Sequence, residues 1–292
     1  MGRPTYRPSV REATLPRSST GTPDALHPCP TQPPVLLVMP ADTVNAIRLP
    51  AALAVLALLV LWESAQPFFP LFERGPHAGR DRLWHGARNV ALGLLNGALV
   101  RFGFLGVWIA AMAWSREYPF GLLHWLALPE WLGWLAAILL LDGWTYTWHR
   151  LNHTMPGLWR FHRLHHSDQQ MDATTASRFH VGEIVLSSIA RVPVLALIGC
   201  SVEQLAVYET VMFAVVQFQH ANIGLPDALD RILRVVIVTP HLHKVHHSVV
   251  VAEQQSNFSS VFSWWDRMAR TLRLAPDLSA VVFGVDEPPP TR

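Results

Sequence analysis

The sequence has little cysteine and little charge. Cys29 and Cys200 are its only cysteines among 292 residues, which excludes a disulfide framework and a cysteine-based metal site. Charged residues make up 15% of the chain and hydrophobic residues 50%, a composition typical of a membrane protein. The net charge of +2 argues against a nucleic-acid partner. The sequence also lacks a haem motif and a dinucleotide-binding fingerprint. If the protein binds a metal, its ligands are therefore histidines, with or without carboxylates. If it carries out a redox reaction, a separate protein must supply the electrons.

Histidine, in contrast, occurs in a repeated pattern. Residues four apart share one face of a helix, and Pro156-Gly157 separates two helices that each carry such residues. A third group follows Thr239-Pro240, a pair that predicts a helix start with Thr239 as N-cap. The groups are His149 and His153; His162, His165 and His166; and His243, His246 and His247. These eight imidazoles exceed what one metal ion needs, so we predict a bimetallic site. Their spacing does not choose among Fe, Zn, Cu and Ni.

The apolar runs predict an all-α, polytopic membrane protein with about four to five membrane helices. The runs are 49–62, 90–114, 131–148, 184–200 and 205–218. The first is short, and a re-entrant or interfacial course stays open for it. Since the third run ends at His149, the fourth begins after His180 and the fifth ends at His220, the histidines should form a helical cap on one face of the membrane. Arginines are concentrated on that face, which predicts that it is cytoplasmic.

The ends of the chain differ in composition from this region. Residues 1–40 are rich in Pro, Arg, Ser and Thr, and we expect them to be disordered. Met39 precedes the apolar region, which leaves open that the native protein starts there. Residues 41–275 should form the membrane-embedded catalytic domain, and 276–292 a flexible C-terminal tail.

The histidine pattern resembles the fatty acid hydroxylase/sterol desaturase superfamily. The resemblance covers about residues 85–275 and includes the runs LWRFHRLHHS, RFHVGE and TPHLHKVHHS, with a weaker match at Asn257 and Trp265-Asp266-Arg267. It implies an integral membrane enzyme with two Fe ions that uses dioxygen to hydroxylate or desaturate a lipid such as a fatty acyl chain, sterol or ether lipid. It also implies a separate electron carrier of the ferredoxin, rubredoxin or cytochrome b5 type, and a location in the cell inner membrane.

Further site residues follow from the resemblance and from position. His180 and His220 are expected to complete the metal shell, although RFHVGE has Val181 where the family has proline. Asp142 lies on nearly the same helical face as His149, and we predict that it accepts a hydrogen bond from a ligand histidine. A helix-packing role for Asp142 stays open. Glu183 and Asn222 are expected to act in the same way as Asp142.

Other histidines and charges receive different interpretations. We expect isolated histidines such as His85 and His124 to be surface or interface residues, and His241 to lie outside the ligand set. Arg191 and Glu209, deep in neighbouring apolar runs, should pair with each other because a lone charge there is costly. Basic residues on the histidine side either form a dock for an acidic carrier or only reflect the charge bias. They are Arg160, Arg163, Lys244, Arg267, Arg270 and Arg273.

Two other functions stay open from the sequence alone. The first is a membrane zinc hydrolase that uses metal-activated water, although such enzymes usually have carboxylate ligands. The second is a non-catalytic metal-binding membrane protein, such as a transporter, whose histidines should line a path across the bilayer.

Overall fold

The protein is all-helical in the part of the chain that the structure describes. This computed structural model describes residues 1–2, 41–72 and 78–285, with 41–49 described by their backbone alone. Within those ranges there are only isolated β-bridges and no strands. The predicted disordered tail, residues 1–40, lies outside the described residues except for the first two.

Twelve α-helices are described. They are α1 (Ala41–Ala65), α2 (Ala78–Leu99), α3 (Leu105–Glu117), α4 (Leu122–Leu126), α5 (Glu130–Thr154), α6 (Pro156–His166), α7 (Val181–Ile198), α8 (Val202–His220), α9 (Asp227–Leu233), α10 (Pro240–His246), α11 (Val251–Gln254) and α12 (Trp264–Met268). A π-helical turn, Val100–Phe104, joins α2 to α3, and 3-10 turns lie at Ala173–Ser177 and Leu278–Ala280.

Two stretches are long and apolar enough to cross a membrane, namely Ala78–Leu126 and Val181–Ile198, and α1 contains a shorter apolar stretch, Pro50–Ala65. They indicate a membrane protein. Each apolar run of the sequence begins within a long helix, α1, α2–α3, α5, α7 or α8. The prediction of four to five crossings stays a prediction.

Local sequence explains how the helices that carry the histidines begin and end. Pro156 starts α6 two residues after α5 ends at Thr154, with Met155 extended between them. The chain turns sharply between α7 and α8, where Gly199 ends α7 at φ +74° and Ser201 and Gln204 form a capping box. At α10, Thr239 is the N-cap residue as predicted, but its side chain makes no cap hydrogen bond. The Thr239 hydroxyl instead donates to Asp230, at 2.6 Å.

The main core lies between α3, α5, α7 and α8, where Trp108, Leu141, Leu195 and Tyr208 are buried together. At the side of this core, Arg191 on α7 donates to Glu209 on α8 at 2.5 Å. The guanidinium also lies 4.9 Å from the centre of the Trp108 ring. The predicted pairing of these two charges is confirmed.

The C-terminal segment differs from the sequence expectation. Val281 and Phe283 are buried, and they form a small apolar cluster with Met171. Ser248 pairs with Phe283 as an isolated bridge. The apolar side chains at 281 and 283 hold this part against the helices, so a flexible tail does not describe residues up to 285. Residues 286–292 lie outside the described residues.

Candidate metal centre

Nine histidines converge in two neighbouring clusters. In each cluster, every residue offers one ring nitrogen, and these nitrogens lie within 4.8 Å of one another. The five-histidine cluster contains His149, His153, His162, His166 and His246, and the four-histidine cluster contains His165, His220, His243 and His247. The rings of His166 and His247 stack at 4.3 Å, so the clusters share a wall.

Backbone carbonyls fix the tautomers of two histidines in the five-histidine cluster. The Nδ1 of His149 lies 2.8 Å from the Phe258 carbonyl oxygen, and the Nδ1 of His246 lies 2.6 Å from the Ser256 carbonyl oxygen. A carbonyl oxygen can only accept, so both Nδ1 atoms carry the proton. Both Nε2 atoms therefore present lone pairs, yet they face each other at 3.0 Å. Two lone pairs at this distance need a cation beside them.

The four-histidine cluster poses a similar problem around His220. Its Nδ1 donates to the Val216 carbonyl, at 2.7 Å, so its Nε2 also presents a lone pair. The Nε2 atoms of His165 and His243 approach that nitrogen at 3.1 and 3.0 Å. The Nδ1 atoms of both rings find no hydrogen-bond partner among the described residues. Either tautomer of His165 or His243 therefore leaves a buried nitrogen unsatisfied.

Other buried ring nitrogens point to the same conclusion. Both nitrogens of His153, His166 and His247 lack a hydrogen-bond partner within the described ranges. Leaving a buried polar atom unsatisfied costs about 1–3 kcal/mol, and a cluster of such atoms is destabilising unless something binds it. Metal ions would satisfy these nitrogens, so the residues present fit a metal at each cluster.

The histidines also have the protonation state that ligands need. Burial, with smaller contributions from neighbouring imidazoles, lowers the pKa of His166, His243 and His247 well below its ordinary value. Burial likewise lowers the pKa of His246 to about 3. The rings are therefore neutral at physiological pH and offer lone pairs to a metal. Imidazole-only clusters suit Fe, Zn, Cu and Ni alike.

Glu183 lies where the sequence predicted a carboxylate beside a ligand histidine. One of its oxygens accepts from the Nδ1 of His162 and from the side-chain amide of Asn152, each at 2.9 Å. This contact directs the Nε2 of His162 away from the carboxylate. Sequence reasoning missed Asn152, which lies one residue before His153 and is buried.

Asp142 and Asn222 do not contact the clustered histidines, which corrects the prediction made for them. The Asp142 carboxylate accepts from the backbone N–H groups of Val261 and Phe262 at 3.2 and 3.0 Å and from the Trp265 indole at 2.8 Å. It ties α5 to the C-terminal part of the chain. The Asn222 side chain instead pairs with the backbone of Phe69 in both directions, at 2.9 and 2.8 Å.

His180 is the one predicted ligand that the structure brings to neither cluster. It is the N-cap residue of α7, and its Nδ1 accepts from the Gly182 N–H at 2.9 Å. Its ring packs 5.0 Å from that of Phe161 on the exposed side of α6. A cap side chain folds back onto its own helix, so His180 is not positioned as a ligand. His220, which was expected together with His180 to complete the metal shell, lies within the four-histidine cluster.

Lys244 also differs from its predicted role in an exposed basic dock. Its side chain is fully buried, at 0% exposure. The ammonium donates to the Ala221 and Ile223 carbonyls, at 2.8 and 3.1 Å, and thereby ties α10 to the chain that follows His220. Burial lowers the pKa of Lys244 to about 7. The five arginines predicted for the same dock are exposed.

A buried polar network beside the four-histidine cluster was missed by sequence reasoning. His85, expected at the surface, is buried. Its Nε2 lies 2.9 Å from both Asp168 oxygens, and its Nδ1 lies 3.3 Å from Asp172. Asn89, one turn further along α2, donates to Thr174 at 3.0 Å. Two features of the sequence could have revealed this network. They are the H-x3-N spacing in α2 and the two aspartates that follow the second histidine group.

Comparison with known proteins gives this arrangement a family. The fold and site define a helical membrane protein with two buried imidazole clusters. Residues 134–271 match the fatty acid hydroxylase family model. The chain is 30% identical over 152 residues to an ornithine lipid hydroxylase of Rhizobium tropici, covering 52% of this chain and 45% of the relative. It is 31% identical over 168 residues to an alkylglycerol monooxygenase of Danio rerio, covering 56% and 36%. It is 28% identical over 180 residues to a cholesterol 25-hydroxylase of Rattus norvegicus, covering 57% and 59%.

The family match and these relatives support the fatty acid hydroxylase/sterol desaturase superfamily for this chain. It spans about half the length of the curated relatives that it matches. No solved structure matches it.

Proposed function

We propose that this protein is a membrane-bound di-iron oxygenase that hydroxylates an unactivated C–H bond of a lipid. It would use dioxygen and electrons from an external donor. The observation that carries the proposal is the pair of bare Nε2 atoms of His149 and His246, 3.0 Å apart, within a set of nine clustered imidazoles. The hydroxylase and monooxygenase names of the relatives support this reaction class.

The residues of the chain would divide the work of holding the metals. The five-histidine cluster would hold one iron and the four-histidine cluster the other. Iron bound there would supply the oxygen activation that an unactivated C–H bond requires. Glu183 would keep His162 in the tautomer that binds metal, through its 2.9 Å contact with Nδ1. Burial of eight of the nine rings, with His149 partly buried, would exclude water from the metals.

We propose a lipid as substrate because the three relatives act, by their names, on ornithine lipid, alkylglycerol and cholesterol. Their names also favour hydroxylation over desaturation. The structure offers an apolar cavity of about 560 Å³ between α5 and α12, lined in part by Trp144, Tyr146, Trp265 and Met268. The Tyr146 ring packs 6.3 Å from that of Phe258, and Phe258 in turn contacts His149. The lipid would approach from the bilayer through this cavity, because only one aromatic layer separates it from the five-histidine cluster.

The proposal includes an orientation in the cell inner membrane. The C-terminal ends of α5 and α8 carry His153 and His220 into adjacent clusters. Four to five helices would cross the bilayer, and the histidines would lie on the cytoplasmic face, where the arginines are concentrated. A ferredoxin, rubredoxin or cytochrome b5-type carrier would dock there. Exposed Arg160, Arg163, Arg267, Arg270 and Arg273 offer it positive charge.

Labelled oxygen provides the test. Purified protein loaded with ferrous iron, supplied with a chemical reductant and lipid extract, should introduce one oxygen atom from ¹⁸O-labelled dioxygen into the lipid. Label that arrives only from water would contradict the oxygenase and favour a zinc hydrolase. Metal bound without turnover of any lipid, with or without dioxygen, would favour a non-catalytic metal-binding protein.

Metal analysis of two matched histidine variants separates the proposed ligands from their neighbours. His149→Gln should lose metal from the five-histidine cluster, because His149 contributes a bare Nε2 to it. His180→Gln should keep the metal content of the parent protein, because His180 lies in neither cluster. Equal metal loss in both variants would contradict the assignment.

A further inference from the structure

The short segment Ser256–Phe258 supplies both carbonyls that fix the tautomers of the five-histidine cluster. The Ser256 carbonyl accepts from His246, at 2.6 Å, and the Phe258 carbonyl accepts from His149, at 2.8 Å. His149 lies on α5 and His246 on α10, so one segment controls ligands from two helices. It belongs to neither a helix nor a strand, so no regular hydrogen-bond ladder holds it in place.

Asn257 joins this segment to α10 and to the chain beyond α12. Its side-chain amide donates to the Leu242 and Arg273 carbonyls, both at 2.8 Å, and its carbonyl oxygen accepts from the Arg273 N–H at 2.8 Å. Its backbone has a φ of +54°, in the left-handed region that asparagine tolerates better than most residues. Asn257 thus combines an unusual backbone conformation with a buried side chain that makes three hydrogen bonds.

Asp266 holds the same segment from the other side. One carboxylate oxygen accepts from the Phe258 N–H at 2.9 Å and from the Thr271 hydroxyl at 2.6 Å. The other oxygen accepts from the Ser259 N–H at 2.9 Å. Asp266 is buried, so these bonds are shielded from water. The carboxylate therefore fixes the peptide units on both sides of Phe258, including the carbonyl that His149 requires.

We infer that Asn257 and Asp266 are positioning residues for the metal of the five-histidine cluster alone. They hold the Ser256 and Phe258 carbonyls that direct the Nε2 atoms of His149 and His246 towards each other. The four-histidine cluster does not depend on this segment, because the Nδ1 acceptor of His220 is Val216 within the same helix. The inference rests on the proposed function only in that each cluster is taken to bind a metal ion.

The test is a metal count on the purified full chain, with cobalt(II) as a spectroscopic probe. Asp266→Asn keeps the size of the side chain but replaces one acceptor oxygen by an N–H donor, which would face a backbone N–H. The expected result is loss of the ion of the five-histidine cluster, with a residual cobalt spectrum that matches His149→Gln and differs from His243→Gln. Changes to residues that hold the hydrogen-bond partners of ligand histidines cost about 10–100-fold in metal affinity.

Two control variants keep the test decisive if Asp266→Asn folds poorly. Asp277→Asn makes the same change at an exposed carboxylate that, among the described residues, accepts side-chain hydrogen bonds from Ser279 alone, and it should keep both ions. Asn257→Gly leaves a residue that adopts the positive φ without strain but removes the side-chain hydrogen bonds. It should therefore lose only the ion of the five-histidine cluster, as Asp266→Asn does.

The outcomes separate this inference from the proposed function. Retention of both ions in Asp266→Asn and Asn257→Gly would overturn the inference while leaving the metal sites intact. Equal loss of both ions would also overturn it, because the effect would then be on the whole fold. A parent protein that fails to bind metal at both clusters would instead contradict the proposed function.

Discussion

The ion pair between Arg191 and Glu209 gives a quantitative test of how α7 and α8 pack. Their charged groups lie 2.5 Å apart, and the two side chains are only 17% and 15% exposed. Breaking a fully buried pair costs about 3–5 kcal/mol, and the low end of that range applies to this partly buried pair. A charge at the centre of a membrane helix costs about 3 kcal/mol on insertion scales. We therefore expect Glu209→Met to lower the free energy of unfolding by about 3 kcal/mol.

The double variants decide whether this loss comes from the pair. Replacing both residues by methionine should recover most of the loss, because apolar replacements of a buried ion pair are often neutral or stabilising. The reversed pair, Arg191→Glu with Glu209→Arg, should recover less. It removes the guanidinium that lies 4.9 Å from the Trp108 ring, a contact worth about 1 kcal/mol.

The assay is unfolding of the four proteins of this double-mutant cycle in lipid nanodiscs, followed by loss of helical signal. A coupling energy of about 1–3 kcal/mol between the two methionine substitutions would be the expected result. Additive losses within about 0.5 kcal/mol would refute the reasoning, because each charge would then be stabilised by something other than its partner. Metal content should remain that of the parent protein in every folded variant, since neither residue belongs to a histidine cluster.

Two further predictions concern groups around the candidate metal centre. Glu183→Ala should weaken metal binding at the five-histidine cluster by about 10–100-fold. Glu183→Gln should weaken it less, because the amide retains the oxygen that accepts from His162. A metal titration that gives equal affinities for both variants would contradict this role. Burial alone would raise the pKa of Asp230, but hydrogen bonds from His241 and Thr239 and the charge of Arg234 outweigh it and lower the pKa below 3.8. The stability that Asp230 contributes is therefore present above that pH and is lost as the pH falls through its folded-state pKa. Thermal unfolding measured from pH 6 down to pH 3 should show a smaller acid-induced loss in Asp230→Asn than in the parent protein, and parallel losses would count against the anchoring of α10 by Asp230.

The sequence predicted those features that depend on helical periodicity. The spacing of eight histidines predicted that they converge, and all eight lie in the two clusters. His220, suggested by its place at the end of an apolar run, lies there as well. The positions of Arg191 and Glu209 along two consecutive apolar runs predicted their contact. The helices that carry these residues are either long or begin at a proline, so the sequence shows where each helix runs. The face on which a side chain lies then follows from its position along the helix.

The residues that were misassigned depend on contacts that periodicity does not specify. His180 has a local alternative, because an N-cap side chain can bond to the start of its own helix. Asp142 faces the side of α5 that was expected, but the neighbour on that side is the loop around Val261 and Trp265, more than a hundred residues later in the chain. Lys244 lies on the short helix α10, which is buried on nearly all sides. Such a helix has no separate polar and apolar faces, so the sequence pattern could not show that the Lys244 side chain is buried.

The split of the histidine groups between the two clusters follows from helix geometry. On α6, His162 and His166 lie four residues apart and enter the five-histidine cluster, while His165 points to the other cluster. On α10 the assignment is reversed, since His243 and His247 enter the four-histidine cluster and His246 the five-histidine cluster.

Each H-x2-H-H group therefore contributes to both clusters, because adjacent residues on a helix point about 100° apart. This arrangement requires α6 and α10 to keep a fixed rotation about their own axes, since a rotation of either helix would displace ligands of both clusters together. Lys244 opposes such a rotation of α10 through its bonds to the Ala221 and Ile223 carbonyls. The burial of this lysine is thus explained by the need to hold one short helix that serves both clusters.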